Sequence, residues 1–180
     1  SLTSAYLPLS AVLIPDWMYD AMVAVSAEWG IFGHGFTYSG HPASCAVALK
    51  VLEIYERDGI FARAAERGRQ MQARLAECAD HPLVGEARGI GMIGAAELVA
   101  DKARGTAFAP EAGVGKYALA RAKANGLIVR AIGDSVALCP PLVSTEAEID
   151  EIFARYRKSL DETLDWVTRE GLARDAAVSG

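Results

Sequence analysis

The stretch from Thr145 to Val167 limits what this chain can fold into more than any other. Thr145 and Glu148 have the spacing of a capping box, in which a hydroxyl and a carboxylate satisfy free N–H groups at a helix start. Ile149, Ile152, Phe153, Tyr156, Leu160, Leu164 and Val167 then recur at steps of three and four. That period lines one face of a helix with apolar side chains. Such a helix needs a second layer to cover its stripe.

The layer lies upstream. Residues 84–88 and 92–99 read as strands separated by Gly89 and Gly91, and the second is almost continuously apolar, as in a strand buried on both faces. Residues 127–130 and 135–138 read as two more, joined by a hairpin turn at Gly133-Asp134 and halted by Pro140-Pro141. Helices are expected over residues 60–79, with Ile60, Ala64, Met71 and Leu75 on one face, and over 111–124, closed by Asn125-Gly126. Residues 60–180 therefore read as a compact α+β unit with helices on a small sheet. The tail after Gly171 is expected to fray.

Residues 1–59 read as the end of something larger. Ser1-Leu2-Thr3-Ser4-Ala5-Tyr6 is a turn or loop. Residues 11–14, apolar and stopped by Pro15, are expected as a short buried strand. Asp16 is expected to cap a short helix starting at Trp17. A glycine-rich loop follows. Pro42 then suits the first turn of a helix, where its missing N–H costs nothing, and Asp58-Gly59 stops that helix after Arg57.

Composition removes several classes of function. A content of 52% hydrophobic and 23% charged residues is globular rather than disordered. A net charge of -5 without a run of Lys and Arg argues against a nucleic-acid partner. No apolar stretch is long enough to span a membrane, and no secretory leader is visible. Cys45, Cys78 and Cys139 form no CxxC pair, and His34, His41 and His81 lack metal-ligand spacing. No metal site is expected, and a reducing, cytoplasmic location fits.

Chemistry concentrates in Gly33-His34-Gly35-Phe36-Thr37-Tyr38-Ser39-Gly40-His41-Pro42. Glycines let backbone approach a ligand, Thr37 offers a hydroxyl, and the N–H groups of Phe36 and Thr37 lie just before a helix N-terminus. A phosphate suits such a set, although the pattern alone leaves a plain structural turn open. Arg130 ends the apolar run Leu127-Ile128-Val129. Its fork can hold a carboxylate bidentately, and an arginine directed into water is the alternative.

In order along the chain, these segments resemble class III (omega) aminotransferases, pyridoxal-phosphate (PLP) enzymes of fold type I. Leu2-Thr3-Ser4-Ala5-Tyr6-Leu7-Pro8-Leu9-Ser10-Ala11 resembles the stretch after the family's PLP lysine. Gly35-Phe36-Thr37-Tyr38-Ser39-Gly40-His41-Pro42 resembles its phosphate loop. Arg88-Gly89-Ile90-Gly91-Met92, Gly126-Leu127-Ile128-Val129-Arg130 and Cys139-Pro140-Pro141-Leu142 resemble segments of its small domain and substrate side.

The resemblance implies an α/β fold in which residues 1–59 end the large PLP-binding domain and supply a connecting helix, while residues 60–180 form the α+β small domain. It implies that Thr37, with the Phe36 backbone beside it, binds the PLP phosphate in a neighbouring subunit's active site, hence a homodimer. It implies that Arg130 binds a substrate carboxylate. The branch resembling ornithine aminotransferase carries its arginine where Ala137 stands, so the expected acceptor is pyruvate or a related keto acid, and the donor an amine or omega-amino acid. The family's Schiff-base lysine would fall immediately before Ser1, and Lys50, Lys102, Lys116, Lys123 and Lys158 stand in other contexts, so no catalytic residue is assigned within the chain. A class III decarboxylase or aminomutase, or a non-catalytic aminotransferase-like fragment, is the alternative.

Overall fold

The structure, a computed structural model, describes residues 2–172. The expected fraying of the tail falls, from residue 173 on, outside the described residues. The chain forms two units, Ser1–Gly59 and Ile60–Gly180.

The first unit holds two helices, α1 (Asp16–Trp29) and α2 (Pro42–Arg57). Asp16 is the first residue of α1 rather than its cap. Pro15 takes the cap position, and no side chain caps the helix. The apolar run at residues 11–14 is not a strand, and Val12 and Leu13 are exposed. A strand needs a neighbour for its N–H and C=O groups, and no described residue pairs with this one. The second helix begins at Pro42 and ends at Arg57, as its flanking residues dictate. It buries Ser44, Ala48 and Val51, a stripe at three- and four-residue steps, whereas α1 buries nothing.

The second unit opens with α3 (Ile60–Cys78), followed by the hairpin β1 (Val84–Ile90) and β2 (Ile93–Leu98). After a short 3-10 turn (Pro110–Ala112) come α4 (Val114–Ala124), β3 (Arg130–Ile132), β4 (Ser135–Leu138) and α5 (Glu146–Arg169). The four strands form one antiparallel sheet in the order β1-β2-β4-β3.

Helices cover one face of this sheet. Met71 and Leu75 of α3, Val114, Ala118 and Ala122 of α4, and Ile149, Phe153, Tyr156, Leu160 and Val167 of α5 share a core with Ala96, Leu98, Val136 and Leu138. Each large side chain so buried stabilises the unit by roughly 1.5–3 kcal/mol before entropy is counted. The capping box at the start of α5 is complete. The Thr145 N–H donates to Glu148 Oε2 at 2.7 Å, and the Glu148 N–H donates to Thr145 Oγ1 at 3.3 Å.

Three local expectations change. The second strand is buried on one face only: Gly94, Ala96 and Leu98 point inward, while Ile93, Ala95 and Glu97 do not. The helix expected from residue 111 is interrupted at Gly113, whose φ of 65° separates the 3-10 turn from α4. Arg130 opens its strand rather than closing one over residues 127–130. The Leu127 N–H is still spent closing α4, on the Ala122 carbonyl at 2.8 Å, and Gly126 takes the left-handed φ of 77° that this helix end requires.

Candidate functional site

The glycine-rich loop turns tightly just before α2. The Ser39 N–H donates to the Phe36 carbonyl at 2.9 Å, and the Phe36 N–H donates to Ser39 Oγ at 3.1 Å. Ser39 thus closes the turn from both sides, a role sequence reading did not assign it. The available signal was a hydroxyl three residues beyond an amide. One of the two amides expected to face an anion is therefore already engaged. The Thr37 hydroxyl and N–H form no hydrogen bond among the described residues.

Gly40, with a φ of 67°, bends the backbone so that His41 enters α2. No side chain caps that helix, which leaves the N–H groups of Ala43 and Ser44 at its positive end unspent among the described residues. A free hydroxyl, a free amide and an uncapped helix start suit the demands of a phosphate dianion. The rings of Phe32, His34 and Phe36 meet edge to face in sequence, at 5.9 and 5.6 Å, and Tyr38 stacks on His41 at 6.2 Å. Phe36, Tyr38, Ser39 and Gly40 line one wall of an open cleft of about 620 Å³, and Pro8, Leu9 and Ser10 line the other.

The segment before that wall is strained. Ser4 and Ala5 take φ values of 47° and 65°, in the left-handed region that side chains with a Cβ rarely adopt. Local bonds hold the kink: the Thr3 hydroxyl donates to the Leu7 carbonyl, and Ser4 Oγ lies 2.6 Å from the Tyr55 hydroxyl. Strain of this kind clusters at functional sites.

Arg130 stands in the other unit. The strand register aligns Arg88, Ala95, Ala137 and Arg130 in one row across the sheet, with directly opposed side chains on a common face. This is the face away from the helices. The arginines ending the row differ in their partners. Arg88 donates to Glu86 Oε2 at 3.0 Å, to Glu97 Oε2 at 3.1 Å and to Ser135 Oγ at 3.4 Å. The Glu97 hydrogen bond, then the Glu86 charge, hold its guanidinium above the ordinary range. Arg130 has no carboxylate partner among the described residues.

The lysines are occupied elsewhere or lie off the cleft. Lys50 pairs with Glu53 at 2.7 Å on the exposed side of α2, and Lys102 donates to the Ala79 carbonyl and, at 3.1 Å, to the His81 carbonyl. Lys158 lies 4.0 Å from Glu162. Among the described residues no lysine lines the cleft beside Phe36. Among the described residues no cluster of His, Cys, Asp and Glu could hold a metal ion, and no helix is long and apolar enough to cross a membrane. Cys45, Cys78 and Cys139 are free thiols, and burial pushes the Cys78 thiol up to about 11.

Comparison with known proteins extends these features to a family. The model of class III aminotransferases matches residues 1–160. A diaminobutyrate–2-oxoglutarate transaminase of Halomonas elongata is 44% identical over 178 residues, which is 97% of this chain and 38% of that protein. A putrescine–pyruvate aminotransferase of Pseudomonas aeruginosa is 45% identical over 163 residues, 90% of this chain and 35% of that one. Among solved structures, an omega transaminase from Pseudomonas jessenii in complex with PMP superposes with a TM-score of 0.87 at 42% identity, covering 93% of this chain and 37% of the other. The chain thus spans well under half the length of these relatives. Because the match runs through both units at such identity, the chain belongs to the class III aminotransferases and shares their PLP fold type I architecture.

Proposed function

We propose that this chain is the C-terminal part of a PLP-dependent transaminase that moves an amino group from an amine or omega-amino acid to pyruvate or a related keto acid. The observation that carries the reading is Arg130. Of the two arginines in the sheet row, it alone keeps its guanidinium free of carboxylates among the described residues. A free fork on an open sheet face suits a ligand carboxylate. Relatives named as transaminases favour amino transfer over decarboxylation or mutase chemistry. Their names include both 2-oxoglutarate and pyruvate, so the acceptor assignment rests on Arg130 and on Ala137 opposite it.

In this reading residues 1–59 end the large cofactor-binding domain and residues 60–180 form the small domain. Bound PLP supplies the electron sink that eases removal of the substrate's Cα proton. The Thr37 hydroxyl and N–H, beside the Phe36 backbone and the positive end of α2, hold its phosphate. Arg130 binds the keto-acid carboxylate and orients the acceptor. The chain works as a homodimer whose active site lies at the subunit interface. Free thiols at Cys45, Cys78 and Cys139 suit a reducing, cytoplasmic location.

The test is amino transfer by the full-length protein with PLP, an amine donor, and either pyruvate or 2-oxoglutarate. Alanine formed faster than glutamate supports the reading. A preference for 2-oxoglutarate overturns the acceptor assignment, and no transfer to either overturns the activity.

A further inference from the structure

Arg130 is only as well placed as the hairpin that carries it. That hairpin, β3 and β4, turns at Gly133-Asp134, and Asp134 ties the turn to two other elements. Its Oδ1 accepts the Gly115 N–H at 2.8 Å, and its backbone carbonyl accepts the Leu98 N–H of β2 at 3.0 Å. Gly115 lies in the first turn of α4, whose cap residue is Gly113, without a side chain to offer. The cap therefore comes from a carboxylate far along the chain, which also faces the positive end of the helix dipole.

The packing at this joint allows nothing larger. A Cβ on Gly115 would stand 2.0 Å from the Gly133 carbonyl and 3.0 Å from Asp134 Cα. The start of α4 thus rests directly on the turn, and the carboxylate locks the two together. The turn follows β3 directly, and Ile132 pairs with Ser135 just beyond it. Arg130 lies at the start of a three-residue edge strand, held on one side by the buried Val129 before it and on the other by its pairing with β4 and by this joint.

We propose that Asp134 is a positioning residue for keto-acid recognition: by capping α4 at Gly115 it fixes the β3–β4 hairpin and so the angle from which Arg130 meets the acceptor's carboxylate. The inference rests on the role of Arg130 in the proposed function. A positioning role loosens binding of the carboxylate-bearing acceptor and spares an uncharged amine donor. A merely structural role disturbs both alike.

The test uses the full-length holoenzyme with pyruvate as acceptor and an uncharged-side-chain monoamine as donor. Asp134→Ala is expected to raise the pyruvate KM ~5- to 10-fold while the amine KM stays within ~2-fold, the size of a lost helix cap. Asp134→Asn, whose amide oxygen still accepts the Gly115 N–H, is expected to restore the pyruvate KM. Asp134→Glu keeps the charge but overreaches the joint, and it serves if the alanine variant does not fold, with the same asymmetric rise expected. Arg130→Ala is measured alongside. If Arg130→Ala raises the pyruvate KM and the Asp134 variants do not, or if they raise both KM values equally, the positioning role is overturned and the role of Arg130 stands. If Arg130→Ala leaves the pyruvate KM unchanged, the Arg130 assignment falls and takes this inference with it.

Discussion

Arg130 on β3 stands directly opposite Ala137 on β4, so their side chains leave the same face of the sheet. These are the two positions at which the sequence resemblance locates alternative carboxylate-binding arginines. They are cross-strand neighbours, and a guanidinium from either can sweep nearly the same space.

Moving the arginine across the ladder is therefore informative. Arg130→Ala should raise the KM for pyruvate ~10- to 100-fold, the worth of a charge-assisted pair, with little change for an uncharged amine. The double variant Arg130→Ala with Ala137→Arg should recover part of the loss or shift preference toward a longer keto acid. Steady-state kinetics with both acceptors measure this, and equal loss for amine and keto acid counts against the assignment.

His81 should make stability depend on pH. Its side chain is 3% exposed, and Nδ1 accepts the Leu83 N–H at 3.2 Å, which leaves the proton on Nε2. Nε2 sits 3.3 Å from Asp161 Oδ1 without an aligned hydrogen bond. Burial is the largest influence and pulls its pKa below the ordinary value, helped by Arg157 and Lys102 and opposed by Asp161. The unfolded chain then binds the proton more readily than the folded one. This contribution is present above about pH 6.5 and is lost as pH falls below it toward the depressed folded value. Urea midpoints should drop between about pH 7.5 and pH 5.5, with a shallower drop in His81→Gln. An identical slope in the variant would remove His81 as the cause.

Tyr156 should behave as a buried polar anchor. Its hydroxyl donates to the Val136 carbonyl at 3.1 Å, and burial pushes its pKa well above the ordinary tyrosine range. Tyr156→Phe deletes the donor and should cost about 1 kcal/mol without altering cofactor affinity. Chemical denaturation and cofactor titration on the same variant separate the two effects.

Gly68→Ala reverses the usual sign for a helix. Alanine ordinarily gains up to about 1 kcal/mol over glycine in a helix interior. Here the new Cβ would stand 2.8 Å from Gly91 Cα and 2.9 Å from its carbonyl carbon, backbone that Gln72 pins by donating to the Gly91 carbonyl at 2.7 Å. The clash should win by about 1–3 kcal/mol, read as a lower melting temperature. A melting temperature at or above the parent's would show that the α3–hairpin contact yields more easily than its geometry suggests.

What the sequence made legible follows physical range. The bounds of α2 and the capping box of α5 were readable because Pro42, Thr145 and Glu148 act within one turn of their own position. Residues 11–14 read as a strand from their apolar run but pair with no described residue, because a strand depends on a neighbour that a local pattern does not name. The second strand was read as doubly buried because Ala95 is small and apolar, yet it lies on the open face. At the candidate site, Thr37 and Arg130 carried signals through residue type and motif. The Asp134 cap at Gly115 carried none, because it joins a turn to a helix 19 residues away.

The most direct measurement is the affinity of the full-length protein for pyridoxamine phosphate, which cannot bond covalently to a lysine, in the parent and in Thr37→Val. If the free hydroxyl of Thr37 holds the cofactor's phosphate, the valine variant should bind about 10- to 100-fold more weakly, and Thr37→Ser should bind nearly as the parent does. A Thr37→Val protein that binds pyridoxamine phosphate as tightly as the parent would contradict the phosphate assignment at its root.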